Sequence, residues 1–167
     1  MLPNGTVVVA SHGADVVASS TGAQGWRGPY AAPRRLFTPP APMKMEDPFM
    51  WFDAGAGVWR MLLHQYNGSA PHPQYRVGGY AQTSDGDLFG RWAVQDEATP
   101  AFTTLIPMVD GSARNYTRRE RPKLLLDAGG APAVLYSGVC ESAKQDANCY
   151  TMGVAVGGGG GGSGHRV

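Results

Sequence analysis

The sequence has few charged residues, and their signs nearly cancel. Only 16% of its 167 residues are charged, and the formal net charge is +1 at pH 7. Proteins that bind nucleic acid use clustered Lys and Arg side chains to neutralise phosphates. The one basic cluster here, residues 118–123, has Glu120 inside it. The composition therefore predicts no nucleic-acid partner.

Long apolar runs are also missing. No segment approaches the ~18 consecutive apolar residues that a membrane-spanning helix needs. The first residues, MLPNGTVVVASHG, lack the basic and long apolar segments of a signal peptide. We therefore expect no membrane partner. Glycosylation sequons beginning at Asn4, Asn67 and Asn115 favour a secreted parent protein, so we expect an extracellular or secretory-pathway location.

Cysteine is scarce. The chain has two, Cys140 and Cys149, which are nine residues apart. They can close a small disulfide loop, which would fit an oxidising compartment, or they can be two free thiols. No second Cys pair or His pair lies nearby in the sequence to complete a zinc site. We therefore expect neither a metal nor a cofactor.

Helical patterns are absent as well. No segment keeps a 3.6-residue apolar period between capping residues, so we expect almost no helix. The 24 glycines and 13 prolines are typical of short strands joined by turns. Short segments rich in apolar, aromatic or β-branched residues and bounded by turn residues indicate strands. They lie at residues 6–10, 49–52, 58–64, 79–84, 123–126 and 133–137. The sequence therefore predicts an all-β fold.

One motif occurs twice at a fixed spacing. Residues 46–55 read EDPFMWFDAG, and residues 120–129 read ERPKLLLDAG. The Glu, Pro and Asp of the second copy each lie 74 residues after those of the first. A constant period of this kind indicates a structural repeat. We predict that in each repeat an inner strand follows Glu-x-Pro and leads through a glycine-containing hairpin loop to a second strand.

The rest of the repeat completes a four-stranded meander, the unit that forms one blade of a β-propeller. We predict a hairpin turn at Pro3–Gly5, a connection at Tyr30–Pro42 and about three four-stranded antiparallel blades over residues 1–156. Residues 157–167 are Gly-rich and are expected to form a flexible tail. Closed propellers have about 4–8 blades, and the first repeat lacks its beginning. We therefore expect a fragment of a larger propeller. We also expect the protein to be a monomer.

Two acidic residues are the candidate catalytic groups. Asp47 and Glu120 lie where inner strands of the repeats would begin, beside the central channel. Burying an acidic side chain there costs free energy unless the carboxylate is hydrated, paired with a cation or used for function. Glycoside hydrolysis uses two carboxyl groups that flank one bond. Other interpretations remain open: Asp47 can be a turn residue, and Glu120 can form an ion pair with one of the arginines at positions 118, 119 and 121.

The ordered set of motifs resembles a known family. EDPFMWFD followed by RRERPKLLLD is similar to the strand openings of five-bladed β-propeller glycoside hydrolases of family 43 and their arabinanase, xylosidase, levansucrase and invertase-like relatives. GGYAQTSDGDLFGRW and WRGPY resemble the tracts that close blades in that group. The resemblance covers about residues 1–139. It implies that Asp47 is the auxiliary carboxylate that tunes the site and orients the substrate, and that Glu120 is the general acid.

The sequence departs from the family pattern at two places. The family's catalytic base is an Asp at the opening of the first blade, a position that would precede Met1. Arg121 stands where the family usually has Gly.

Three further residues are candidate substrate contacts. His64 can face the channel or be a core histidine. Arg119 can hold a sugar or be a solvated charge. Trp51 can be a sugar-stacking platform, whereas Trp59 and Trp92 are predicted to lie in the core.

Three functional hypotheses follow from the sequence. In the first, the full-length protein hydrolyses glycosidic bonds of polysaccharides or oligosaccharides, and this fragment can be inactive by itself. In the second, the propeller binds carbohydrate without cleaving it. In the third, the chain is a degenerate fragment with no function of its own. The first two share a carbohydrate as the expected partner.

Overall fold

The computed structural model describes residues 6–18, 25–39, 43–67, 77–96, 98–142 and 148–157. Its strands are β1 (Val8–Ser11), β2 (Asp15–Ala18), β3 (Arg34–Arg35), β4 (Met43–Asp53), β5 (Val58–Asn67), β6 (Val77–Thr83), β7 (Trp92–Val94), β8 (Leu105–Pro107), β9 (Ala113–Asn115), β10 (Arg118–Leu126), β11 (Pro132–Cys140) and β12 (Cys149–Ala155). Within these ranges the helical segments are short 3-10 turns at His12–Ala14 and Gly25–Arg27. None of the described helices is long and apolar enough to cross a membrane. The all-β prediction is confirmed.

The strands form antiparallel sheets in which neighbours in space are neighbours in the chain. The largest sheet has the order β4-β5-β6-β7, and the next two have the orders β1-β2-β3 and β10-β11-β12. β8 and β9 form a separate hairpin. The predicted four-stranded meander is thus present once in the described ranges, and two further meanders there have three strands each.

A β-bulge interrupts the pairing of β4 with β5. Glu46 lies opposite His64, and the next pair along the ladder is Phe49 with Leu62. Three steps along β4 therefore match two steps along β5, which leaves one extra residue in β4. A bulge of this kind bends the strand and redirects its side chains.

The pairing of β10 with β11 contains the same bulge. Glu120 lies opposite Gly138, and the next pair is Lys123 with Tyr136. Each of these four residues lies 74 positions after its counterpart in the β4–β5 ladder. The sequence repeat is therefore also a structural repeat, and Glu120 is the counterpart of Glu46.

The expectation that the inner strands begin after Glu-x-Pro is wrong. β4 begins at Met43 and β10 begins at Arg118, so both strands run through the motif. Proline has no N–H to donate to a ladder, and strands tolerate it at edges and bulges. Pro48 and Pro122 lie within the unpaired steps of the two bulges, which explains why the strands continue past them.

The predicted hairpin loops after the motif are confirmed. The carboxylate of Asp53 accepts a hydrogen bond from the backbone N–H of Ala56, and the carboxylate of Asp127 accepts one from Gly129. Gly57 and Gly130 adopt positive φ angles of 69° and 83°, a conformation that glycine reaches without steric cost. These local hydrogen bonds and glycines set the register of the two hairpins.

The four-stranded sheet buries both of its faces. One face packs against the β1–β3 sheet in a core that includes Ala14, Met45, Trp59, Met61, Leu63, Ala81 and Trp92. The other packs against the β10–β12 sheet through Trp51, Leu62, Phe102, Leu124 and Leu135. The β8–β9 hairpin covers a third cluster, Ile106, Tyr116 and Val139. The core positions predicted for Trp59 and Trp92 are confirmed.

Of four other predictions, one is confirmed, one is wrong and two fall on residues outside the described ranges. Cys140 and Cys149 lie opposite each other on β11 and β12 and form a disulfide, so the disulfide interpretation is confirmed. The segment Tyr30–Pro42, predicted as a plain connection, contains β3, which pairs with β2. The hairpin turn predicted at Pro3–Gly5 lies outside the described residues, as does all of the predicted tail after Gly157.

Candidate functional site

The two bulges share an uncommon backbone conformation. Asp47 and Arg121 have φ angles of 52° and 55°, in the left-handed region. A residue other than glycine in this region costs on the order of 1–3 kcal/mol, and such residues cluster at functional sites. Each also precedes a proline, which further restricts its backbone. The bulges are therefore the first place to look for functional side chains.

Four side chains surround the carboxylate of Glu46. Its Oε1 lies 2.9 Å from Nδ1 of His64, and its Oε2 lies 2.9 Å from Nε2 of His12. The hydroxyl of Tyr66 donates to Oε2 at 3.5 Å. Asp47 contributes a second carboxylate, with Oδ2 at 4.0 Å from Nδ1 of His64. The Glu46 carboxylate thus lies among side chains from β4, from the facing strand β5 and from the first 3-10 turn.

His64 is buried, with 1% of its surface exposed. Burial lowers the pKa of His64, although the negative charges of Glu46, Glu120 and Asp47 act in the opposite direction. A neutral imidazole carries its proton on one nitrogen only. Nε2 is buried and has no hydrogen-bond partner among the described residues. The two nitrogens of this ring therefore have different environments, because only Nδ1 faces the carboxylates.

The two imidazoles also act on Glu46. Burial by itself raises the pKa of this carboxyl group, but hydrogen bonds and charges from His12 and His64 outweigh burial, so the pKa is lowered. The Glu46 carboxylate is therefore favoured in its charged form beside a largely buried imidazole. The pair is a carboxylate–histidine dyad, an arrangement that orients an imidazole in both catalytic and metal sites.

Glu120 lies in the equivalent bulge of the next sheet and is also buried. Its Oε2 lies 3.7 Å from Nε of Arg118, and its Oε1 lies 3.4 Å from Nη1 of Arg121. The prediction that Glu120 forms an ion pair is therefore confirmed for these two arginines. Glu120 is also near enough to His64 for its charge to influence that imidazole.

The side chain of Arg119 has partners other than Glu120. It is 4% exposed, and its Nε donates to Oγ of Ser137 at 2.9 Å while its Nη1 donates to the carbonyl of Thr103 at 3.0 Å. Its guanidinium lies over the ring of Phe102. Burial lowers the pKa of Arg119 to about 10. The interpretation of Arg119 as a solvated charge is therefore wrong, as is the alternative in which it pairs with Glu120.

Trp51 lies in the core between two sheets. It packs in the same cluster as Leu62 and Leu135 and is 6% exposed. A ring that stacks on a sugar needs an exposed face, so this position favours a core role for Trp51.

A direct contact joins the two bulges. Nζ of Lys123 donates to the carbonyl of Pro48 at 3.4 Å, and its ammonium lies 5.8 Å from the ring centre of Phe49. Burial lowers the pKa of Lys123, and the charge of Asp47 opposes that shift. The bulge of β4 and the bulge of β10 therefore form one site, defined here as the bulge site, with the acidic and imidazole groups Glu46, Asp47, His64 and Glu120.

Sequence reasoning missed two members of this neighbourhood. It paired Glu46 with Glu120 through the constant 74-residue offset, and the pairing register confirms that pairing, but it chose Asp47 and not Glu46 as the candidate carboxylate of the first motif. The offset was thus the signal that could have found Glu46 as a site residue. His12 reaches Glu46 across 34 residues of sequence, and no local pattern marks that contact.

A cavity with a volume of about 690 Å³ lies outside the bulge site, between β5–β7 and residues 98–103. Its polar wall includes Arg60, Tyr80 and Gln82, which are linked by hydrogen bonds through the Tyr80 hydroxyl. None of the four groups of the bulge site lines it. The cavity is therefore a separate place where a ligand could bind.

Comparison of the chain with protein-family models, with curated proteins and with solved structures gives no match. The geometry of the bulge site and the motifs that form it therefore carry the functional proposal.

Proposed function

We propose that the chain forms consecutive blades of a five-bladed β-propeller and that the full-length protein hydrolyses glycosidic bonds of polysaccharides or oligosaccharides. The observation that carries the proposal is the repeated bulge. It brings Glu46 and Asp47 of one sheet and Glu120 of the next to the same site. Glycoside hydrolysis uses a carboxyl group as general acid on one side of the scissile bond, and neighbouring carboxylates can orient the substrate there.

The packing of the sheets supports the propeller part of the proposal. Blades of a propeller are antiparallel meanders arranged around a central channel. Here the β4–β7 meander packs against β1, the first 3-10 turn and residues 36–37 on one side and against the β10–β12 meander on the other. The first strands of the last two meanders, β4 and β10, meet at Lys123 and Pro48. This is the arrangement expected of strands that line a channel.

The proposed roles follow from position. Glu120 would protonate the leaving oxygen, because it is a buried carboxyl group on the channel-lining strand. Asp47 is partly exposed and would orient the substrate from the neighbouring strand. The hydrogen bonds of Glu46 to His64 and His12 hold this part of β4 in place.

A second function is favoured by one specific observation. Arg118 and Arg121 lie within 4 Å of the two oxygens of Glu120. A carboxylate held between two guanidinium groups is well suited to accept hydrogen bonds from sugar hydroxyls without transferring a proton. Under this alternative the bulge site binds carbohydrate and does not cleave it.

One experiment separates the two functions. The full-length protein is incubated with a panel of arabino-, xylo- and fructo-oligosaccharides, and both product release and binding heat are measured for the wild type and for Glu120→Gln. The matched control is Glu141→Gln, which alters a glutamate that pairs with Arg114 outside the bulge site.

A hydrolase predicts that Glu120→Gln lowers kcat/KM by roughly 100-fold or more while sugar affinity is kept, because a general acid contributes at least that factor. A binding module predicts no turnover by the wild type and weaker binding by Glu120→Gln. Neither turnover nor binding across the panel would contradict both functions. Equal effects of Glu120→Gln and Glu141→Gln would also contradict both.

A further inference from the structure

We infer that Glu46, Asp47 and His64 form a binding site for a divalent cation that accepts mixed nitrogen and oxygen ligands, with Zn²⁺ preferred over Ca²⁺ and Mg²⁺. One ligand atom from each of these residues lies within 4.8 Å of the other two. This inference differs from the sequence-based expectation of no metal. It does not depend on the proposed function, because a cation can bind here whether or not a sugar does.

The buried imidazole of His64 supplies the nitrogen ligand of the proposed site. Its Nδ1 faces Oε1 of Glu46 at 2.9 Å and Oδ2 of Asp47 at 4.0 Å, while its Nε2 is buried without a partner among the described residues. Two lone pairs repel each other at 2.9 Å, so this contact is held either by a proton on Nδ1 or by a cation that both atoms coordinate. The ring can carry its proton on Nε2, which no described partner fixes, and present Nδ1 to a cation.

A second imidazole lies beside the other oxygen of Glu46. Nε2 of His12 lies 2.9 Å from Oε2 of Glu46, and the His12 side chain is 73% exposed. An exposed side chain can adjust its position to complete a coordination shell. Two imidazoles and two carboxylates are the ligand types of Zn²⁺ and similar transition metals. Ca²⁺ and Mg²⁺ favour oxygen ligands only, so the histidines set the preference.

The charges of the site also favour a cation. Glu46 is contacted by two imidazoles and by the hydroxyl of Tyr66, groups that carry no permanent charge. Asp47 adds a second carboxylate next to it, and the single positive charge of Lys123 acts on Asp47. Partly buried like charges need compensation, and one ammonium group does not balance two carboxylates. A divalent cation between the two carboxylates would supply that compensation.

The test uses the whole chain after removal of metals with EDTA and dialysis. Calorimetric titration with ZnCl₂ should show one site per chain, with weaker binding of CaCl₂ and MgCl₂. Asp47→Asn and Glu46→Gln should each weaken Zn²⁺ binding roughly tenfold or more, because each removes a ligand charge. Asp110→Asn, which alters an exposed loop carboxylate, is the control and should leave the affinity unchanged.

Two histidines outside the described residues, His72 and His165, could bind Zn²⁺ adventitiously. All titrations are therefore repeated in a His72→Ala/His165→Ala background, where the site should persist. X-ray absorption at the zinc edge gives an independent result that does not require folded variants: it should show only nitrogen and oxygen neighbours, with imidazole among them.

Loss of binding in the background variant would overturn the inference, as would binding that neither Asp47→Asn nor Glu46→Gln weakens. Binding of Ca²⁺ or Mg²⁺ as tight as that of Zn²⁺ would overturn the assigned preference. No sugar is present in these titrations. A negative result would therefore leave the carbohydrate proposal standing, and a failed sugar panel would leave the metal site standing.

Discussion

Asp47 and Arg121 hold the same left-handed backbone conformation at equivalent bulges of neighbouring sheets, with φ angles of 52° and 55°. The two positions are 74 residues apart, and each follows a glutamate and precedes a proline. One side chain is acidic and the other basic, so side-chain chemistry does not explain the shared conformation. The bulge itself is the repeated feature, and it places Glu46 and Glu120 in equivalent positions.

The left-handed backbone at Arg121 predicts that glycine at this position gives a more stable protein than alanine does. Arg121→Gly should be more stable than Arg121→Ala by about 1 kcal/mol, because alanine keeps the cost of a left-handed conformation and glycine does not. The free energy of unfolding in urea measures this difference. At Phe52, which is exposed and regularly paired on β4, the order should reverse and alanine should be the more stable. Equal stability of the two Arg121 variants would show that the strain is absent.

The buried pair of Arg119 and Ser137 predicts a specific coupling. Ser137→Ala should cost about 1–3 kcal/mol of unfolding free energy, because it leaves a buried guanidinium nitrogen without its acceptor. Arg119→Met removes the charge, so adding Ser137→Ala to that variant should cost much less. A double-mutant cycle measured by urea unfolding gives the coupling. Additive effects would mean that the hydrogen bond contributes nothing to stability.

The disulfide between Cys140 and Cys149 should stabilise the edge strand β12. Replacing both cysteines with serine should lower the free energy of unfolding by about 2–3 kcal/mol, the amount expected for closing a loop of this length in the unfolded chain. Thiol titration of the denatured wild type should find no free thiol until a reductant is added. Two reactive thiols without reductant would contradict the structure.

A close approach between β6 and the segment before β8 predicts that replacing Gly78 is costly. A Cβ atom at Gly78 would overlap the ring of Phe102, which is itself buried in the core. Gly78→Ala should therefore destabilise the protein by about 1–3 kcal/mol, as overpacking does. Gly138→Ala is the matched control, because a Cβ there meets only ordinary contacts with Glu120. Melting temperatures of the two variants test the contrast, and equal values would refute it.

Much of the fold could be predicted because its signals are local. Short apolar segments between turn residues indicate strands, and the Asp-Ala-Gly sequences at Asp53 and Asp127 indicate hairpins. Both kinds of prediction agree with the structure. The fixed 74-residue offset also predicted a repeat, and the matching registers of β4–β5 and β10–β11 confirm it.

The features that were not predicted depend on long-range contacts or on exceptions to local rules. Pro48 and Pro122 suggested strand boundaries, but the bulges let both strands continue. Both sequence-based alternatives for Arg119, a sugar contact and a solvated charge, assumed an accessible side chain, because arginine is rarely buried. Ser137 and Thr103 instead accept its hydrogen bonds in the core. The contact of His12 with Glu46 depends on how two sheets pack.

The most direct test of the proposed site is a crystal structure of the Glu120→Gln variant with an oligosaccharide that binds the chain. We predict that the sugar contacts the introduced amide at position 120 on one side and the carboxylate of Asp47 or Glu46 on the other. A sugar that binds instead in the cavity lined by Arg60, Tyr80 and Gln82, with the bulge site untouched, would contradict the proposed site.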